Sequence, residues 1–222
     1  MSVREPWLIA GHAFRTGPLD PQGMWHRELQ QHASLHHRNA GIVFGGGNAL
    51  AQEEFSTLVV GGSHLCDAVT ITDSQEDRQR LELSNSGWRI AVAQRALSDE
   101  EASITVDVLD ATEASAWFQL DLCLLGTRTR LLADGHVISR FDAAPVTGMF
   151  AGGCDIEGAG RDGGYRIEVR CASPCAYRWP IEPVNVRLPG RTGLGIENAV
   201  LLLRFALPAR GQLSMRVTCR PM

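Results

Sequence analysis

From residue 41 onward, turn chemistry interrupts the chain at short, regular intervals, and the stretches between the turns alternate in polarity. This pattern constrains the fold more than any other feature. Residues 68–72 (AVTIT) alternate, residues 79–83 and 88–93 flank the turn Ser84-Asn85-Ser86-Gly87, and residues 102–109 (ASITVDVL) follow the acidic turn Ser98-Asp99-Glu100-Glu101. Residues 128–132 and 136–141 flank Ala133-Asp134-Gly135, and Asp-Gly is among the strongest short hairpin signals. Runs at 41–44, 55–60, 116–125, 149–156, 165–171, 176–179, 185–188, 199–207 and 213–219 complete the series, and residues 7–15 supply a first strand. About a dozen strands or more, spaced by about 8–12 residues, describe a sandwich or barrel. Helix–strand alternation is absent, which argues against a parallel α/β arrangement.

The expectation is therefore an all-β chain: a large antiparallel β-sandwich forming a single domain over residues 1–222, with one short N-terminal helix. Asp20-Pro21 is the natural start for that helix, Asp as N-cap and Pro as first helical residue. It would carry Trp25, Leu29, His32 and His36 on one face. Trp25, Arg27 and Leu29 also alternate, so an extended segment is the competing expectation.

With 21 basic and 25 acidic side chains the net charge is −4. The basic groups are scattered arginines, which suits local ion pairs or carboxylate recognition and argues against nucleic acid as a partner. No stretch reaches 18 apolar residues, so no membrane span is expected. The first residues hold no long apolar run; the expected location is cytoplasmic, or periplasmic or secreted if a signal peptide was removed. Six cysteines permit disulfides without requiring them.

Several motifs fail their structural requirement. Gly158-Ala159-Gly160-Arg161-Asp162-Gly163 matches GxGxxG, but a strand-like sequence follows where a dinucleotide site needs a helix N-terminus. Gly45-Gly46-Gly47-Asn48 lacks the Gly-Lys-Ser/Thr of a P-loop and reads as a bulge or positive-φ turn, with an anion-binding nest as the alternative. Cys171 and Cys175 lack a second ligand pair for a closed zinc site and read as two small side chains at a turn, or as a local disulfide when oxidised. There is neither GxSxG nor HExxH.

The chemically richest stretch is 26–48, which holds His26, His32, His36 and His37, four of the seven histidines, followed by Arg38 and Asn39. Three readings compete. His32 and His36, four apart, would face one metal ion on a helix. Alternatively, the run is a metal-free carbohydrate or acid-binding site: Arg38 offers a planar fork to a carboxylate, Asn39 holds a hydroxyl, and histidine moves protons near neutral pH. Last, the run is only a polar turn before a strand.

Residues 36–62, HHRNAGIVFGGGNALAQEEFSTLVVGG, resemble the β-sandwich domains of heparinase-type polysaccharide lyases and the wider galactose-mutarotase-like supersandwich group. The resemblance implies a supersandwich fold and a saccharide ligand. It also implies a tyrosine acid, for which the chain offers Tyr165 and Tyr177. The helical partner domain of those lyases has no counterpart in these 222 residues.

The expected function is binding or modification of a carbohydrate, in particular an acidic, uronate-type one. The alternatives are a non-catalytic interaction module and a metal-dependent cupin-like enzyme. His36, His37 and Arg38 are the candidate catalytic residues, and His12, Trp25, Asn39 and Asn48 the candidate ligand contacts. By strand alternation one of His36 and His37 faces the sugar and the other points inward. No cofactor and no metal are expected; the partner is a saccharide or other small molecule, and a homodimer is left open.

Overall fold

The computed structural model describes residues 2–13, 31–45, 56–123, 130–133, 136–137, 146–160, 163–171, 173–181 and 200–222. Eighteen strands run through them in two sheets of nine, numbered along the chain, and every strand pair is antiparallel. The first sheet is ordered β1 (Ser2–Arg4), β2 (Trp7–Gly11), β3 (Ala33–His37), β4 (Gly41–Phe44), β10 (Ala116–Cys123), β17 (Val200–Ala206), β16 (Cys175–Ile181), β13 (Val146–Phe150). A short strand, β5 (Leu58–Val60), also pairs with β10. The second sheet is ordered β12 (His136–Val137), β11 (Arg130–Ala133), β14 (Gly153–Gly160), β15 (Gly163–Cys171), β18 (Gly211–Pro221), β9 (Glu101–Asp110), β8 (Trp88–Ala96), β7 (Arg78–Asn85), β6 (Ala68–Ser74).

The alternation visible in the sequence is what closes the sandwich. Phe118, Leu120 and Leu122 of β10, Leu201, Leu203 and Phe205 of β17, Leu81 and Leu83 of β7 and Leu213, Met215 and Val217 of β18 belong to one buried apolar cluster. Every second side chain of a strand points to the same side, so each sheet contributes one face to that cluster. The other face is left for different chemistry.

Three expectations change in detail. The run at 149–156 is two strands, because the chain leaves the first sheet after Phe150 and enters the second at Gly153; only Ala151 and Gly152 separate them, too short a break to mark the crossing in the sequence. The expected helix over residues 20–30 lies outside the described residues, but Ala33–His37 is strand, so His36 does not sit on a helix face. In an extended chain residues four apart also share a side, so His32 and His36 still fall together. The GxGxxG stretch is a hairpin, with Gly160 paired to Gly163 and a strand on each side. Among the described residues no helix is long and apolar enough to cross a membrane.

Candidate functional site on the outer face of the first sheet

On the first sheet the side chains that alternate with the core set form a face turned away from the second sheet. The strand register lines them up in rows. In one row Ala10 lies opposite Ser34, Gly45 donates its N–H to the Asp121 carbonyl at 3.0 Å, Asp121 lies opposite Leu202, Leu202 opposite Arg178, and Arg178 opposite Thr147. In the next row the His12 N–H donates to the His32 carbonyl at 2.9 Å, and Gln119 lies opposite Arg204, Arg204 opposite Ala176 and Ala176 opposite Met149. His36 sits on this same face, opposite Leu8 and Ile42. The first glycine of the triple run, Gly45, has φ +82°, the positive-φ strand end expected of it.

The middle of the face is polar and dry. Asp121 is 0% exposed and His32 1%. Asp121 Oδ2 accepts from Gln31 Nε2, whereas Oδ1 has no partner among the described residues. Burial holds the Asp121 carboxyl well above the usual carboxylate range, against the opposing effects of the Gln31 hydrogen bond and the Arg204 charge. With Oδ2 accepting, the retained proton belongs on Oδ1. His32 is shifted the other way: burial lowers it, opposed by its hydrogen bond to the backbone of His12 and helped by the His12 charge. His32 Nδ1–H donates to the His12 carbonyl at 2.9 Å, which leaves Nε2 as a bare acceptor, buried and without a partner among the described residues. The His32 N–H is fixed by Thr57 Oγ1 at 2.8 Å. Gln31 ties the two groups together, since it precedes His32 in the chain and holds Asp121. The arrangement contains one buried proton donor and one buried proton acceptor.

Beside this polar row the face opens into a recess of about 690 Å³, lined by Thr147, Gly148, Met149, Ala176, Tyr177, Arg178, Leu202 and Arg204. That volume is in the range of small-ligand sites. Arg204 joins the recess to the polar row: its Nε donates to Gln119 Oε1, and Gln119 Nε2 donates to the Ser56 carbonyl at 2.8 Å. Tyr177 stacks on Phe150 with ring centroids 4.2 Å apart.

The candidates from the sequence divide between the two faces. His12 and His36 fall on the outer face, where burial and then the His12 charge lower His36. His37 turns inward: its ring meets Trp7 edge-on at 4.6 Å, its Nε2 lies 3.1 Å from the Asp99 carbonyl, and its Nδ1 accepts from the Asn39 N–H at 3.3 Å. Arg38 stands in the turn before β4, its side chain 65% exposed, 3.5 Å from Glu5. Trp25 and Asn48 lie outside the described residues. Of the two tyrosines, Tyr165 is buried in the core. Among the described residues no group of three or more His, Cys, Asp or Glu side chains is placed to hold a metal ion. Asp121, Gln119, Arg178 and Arg204 were not singled out in the sequence. For two of them the signal was there: WFQLDLC places Gln119 and Asp121 at alternate positions of an otherwise apolar strand; Arg204 is a lone charge within VLLLRFA.

These two nine-stranded antiparallel sheets make the chain a large β-sandwich, the fold class expected from the sequence. A putative aldose 1-epimerase from Escherichia coli K12 superposes with a TM-score of 0.52 at 11% identity, covering 85% of this chain and 92% of that one. Heparinase III gives a TM-score of 0.48 at 11% identity over 86% of this chain and 29% of that one. A heparan sulfate lyase from Pedobacter heparinus gives 0.48 at 10% identity over 86% and 30%. At such identities the likeness is one of fold. No protein-family model and no curated protein sequence matches the chain.

Proposed function

We propose that this protein binds a saccharide on the outer face of its first sheet and acts on it by proton transfer, with acidic, uronate-type sugars as the favoured ligands. One observation carries this: Asp121 and His32 are both buried, burial shifts them in opposite directions, and Asp121 Oδ1 and His32 Nε2 have no partner among the described residues. Two titratable groups whose surroundings push them apart are the usual signature of an acid and a base. The fold shared with a putative aldose 1-epimerase supports the choice of substrate class.

Opening the ring of an aldose requires a base at the anomeric hydroxyl and an acid at the ring oxygen. For a sugar that gains access to these two buried atoms, His32 Nε2 takes the hydroxyl proton while Asp121 Oδ1 gives its own to the ring oxygen; closure on the other face reverses both transfers. Arg204 and Arg178 line the recess beside Asp121 and offer planar forks to a carboxylate. Arg204, which is partly buried, suits that task better than Arg38, which is largely in water and beside Glu5, where an ion pair contributes little. From β3 to β16 is four inter-strand steps, about 19 Å at the usual spacing. His36 and Arg178 therefore address different units of an oligosaccharide rather than one ring.

The test is a calorimetric screen of acidic and neutral mono- and oligosaccharides, paired with polarimetry on freshly dissolved aldoses and uronates. Arg204→Ala and Arg178→Ala are expected to weaken an acidic ligand about tenfold each. Asp121→Asn is expected to keep binding and lose about a hundredfold in ring-opening rate. A protein that binds no saccharide and accelerates no mutarotation is instead an interaction module.

A further inference from the structure

The chain crosses between the sheets at a cluster of thiols. Cys171 ends β15 in the second sheet, opposite Met215, and Cys175 opens β16 in the first, opposite Phe150. Both are free. The Cys175 S–H and the Ser173 backbone N–H both donate to the Cys171 sulfur, and the Arg170 guanidinium adds its charge. Cys175 is 1% exposed, whereas Cys171 is only partly buried. The two sulfurs differ accordingly. The hydrogen bond from Cys175, then that from Ser173 and the Arg170 charge, bring the Cys171 thiol down to about 7 against the opposing effect of burial. The hydrogen bond it gives and its own burial push Cys175 up. A third thiol, Cys154, is buried in β14 close enough to both to interact electrostatically, and burial pushes it up as well.

A partly exposed thiolate with hydrogen-bond donors, backed by a buried thiol already in contact with it, is the arrangement of an attacking and a resolving cysteine. We propose that Cys171 and Cys175 form a thiol–disulfide exchange site whose substrate is a low-molecular-weight disulfide, with Cys171 attacking and Cys175 resolving. The Cys171 thiolate attacks one sulfur of RSSR; that S–S bond breaks, a Cys171–S–SR bond forms, and RS⁻ leaves. Cys175 then loses its proton and its sulfur displaces the second RS⁻ from Cys171. Two protein thiols are oxidised to one disulfide, one RSSR is reduced to two RSH, and the two protons released by the protein are those the leaving thiolates take up. The bridge ties β15 of the second sheet to β16 of the first. It uses none of the residues assigned to the saccharide, so either proposal stands or falls without the other.

The experiment exposes the native full chain to oxidised glutathione, quenches with acid and maps the tryptic peptides by mass. Cleavage after Arg170 and Arg178 releases residues 171–178, which contain Cys171 and Cys175 and no other cysteine. The expected product is this peptide lighter by two hydrogen atoms with no glutathionyl group. Cys175→Ser traps the glutathionyl group on Cys171, and Cys171→Ser leaves the peptide unmodified. In the unmodified protein, native alkylation at Cys171 is expected to be half-maximal near pH 7 and, at that pH, about a hundredfold or more faster than at Cys66 or Cys219, whose thiols are pushed up to about 12. Alkylation no faster at Cys171 than at Cys66, a wild-type peptide left unmodified or stopped at the glutathionyl adduct, or a bridge to Cys154 would each overturn the proposal. The wild-type readouts decide it even if a variant fails to fold.

Discussion

The side-chain amide of Gln31 donates to Oδ2 of Asp121 across 90 positions of sequence, and Asp121 is fully buried on the outer face of the first sheet. Its carboxyl keeps its proton in the folded protein to a higher pH than in the unfolded chain. A raised pKa of this kind contributes stability that is fully present below the unfolded value, about 3.9, and is lost as pH rises toward the folded one. Asp121→Asn removes the ionisation. The expected result in urea unfolding is a variant whose stability relative to wild type improves as pH rises from about 4 toward the folded value of Asp121. A constant difference across that range would mean that Asp121 ionises normally in the fold.

His32 and His37 have the opposite sign. Burial is the largest cause lowering each of them, so their contribution is present above the unfolded value, about 6.5, and is lost as pH falls through the folded one. The histidine contribution should therefore decline on acidification below about pH 6.5, opposing the gain from Asp121, and stability should fall less on acidification in His37→Gln than in wild type. Trp7, which meets the His37 ring edge-on and donates Nε1–H to the Ser98 carbonyl at 2.9 Å, anchors the same corner. Trp7→Ala is expected to destabilise by about 3–5 kcal/mol in the same urea assay.

Asn85 clips the sheets together. It sits fully buried at the end of β7, and its Nδ2 donates to the carbonyls of Leu58 at 3.2 Å and Ser63 at 2.9 Å, on and beside β5 of the first sheet. Asn85→Ala removes both bonds, although the Ser63 carbonyl keeps the Val60 N–H at 2.9 Å, and a loss of about 1–3 kcal/mol is expected from chemical denaturation. Asn85→Asp should be at least as harmful, because a carboxylate has no N–H to offer.

The turn after Asn85 tests local chemistry. Ser86 and Gly87 have φ of 49° and 82°, the double positive φ of a two-residue hairpin loop. A Cβ on Gly87 would lie 2.7 Å from Thr112 Cγ2. Gly87→Ala should destabilise by about 1–2 kcal/mol, whereas Ser86→Gly should be near neutral in the same melt.

Much of this architecture is legible in the chain because it depends on period-two alternation and on turn residues, both local. The runs at 79–83 and 88–93 around Ser86-Gly87 become β7 and β8, and 213–219 becomes the centre of β18. Alternation also separates His36 from His37 before any coordinates exist: neighbouring residues on a strand point to opposite sides, and the structure turns His37 inward against Trp7 while His36 stays outside. Where locality fails, so does legibility. The break between Phe150 and Gly153 is a change of sheet marked by only two intervening residues.

The sequence by itself determined that the chain is built of antiparallel strands with one apolar face each, because each strand carries that pattern within a few residues. Only the tertiary structure decided which polar side chains meet. Gln31 and Asp121, like Gln119 and Arg204, are tens of positions apart and come together only because β10 lies between β4 and β17. The same holds for protonation: Asp121 and His32 become a candidate acid and base through burial, and burial belongs to the assembled sheets rather than to either residue.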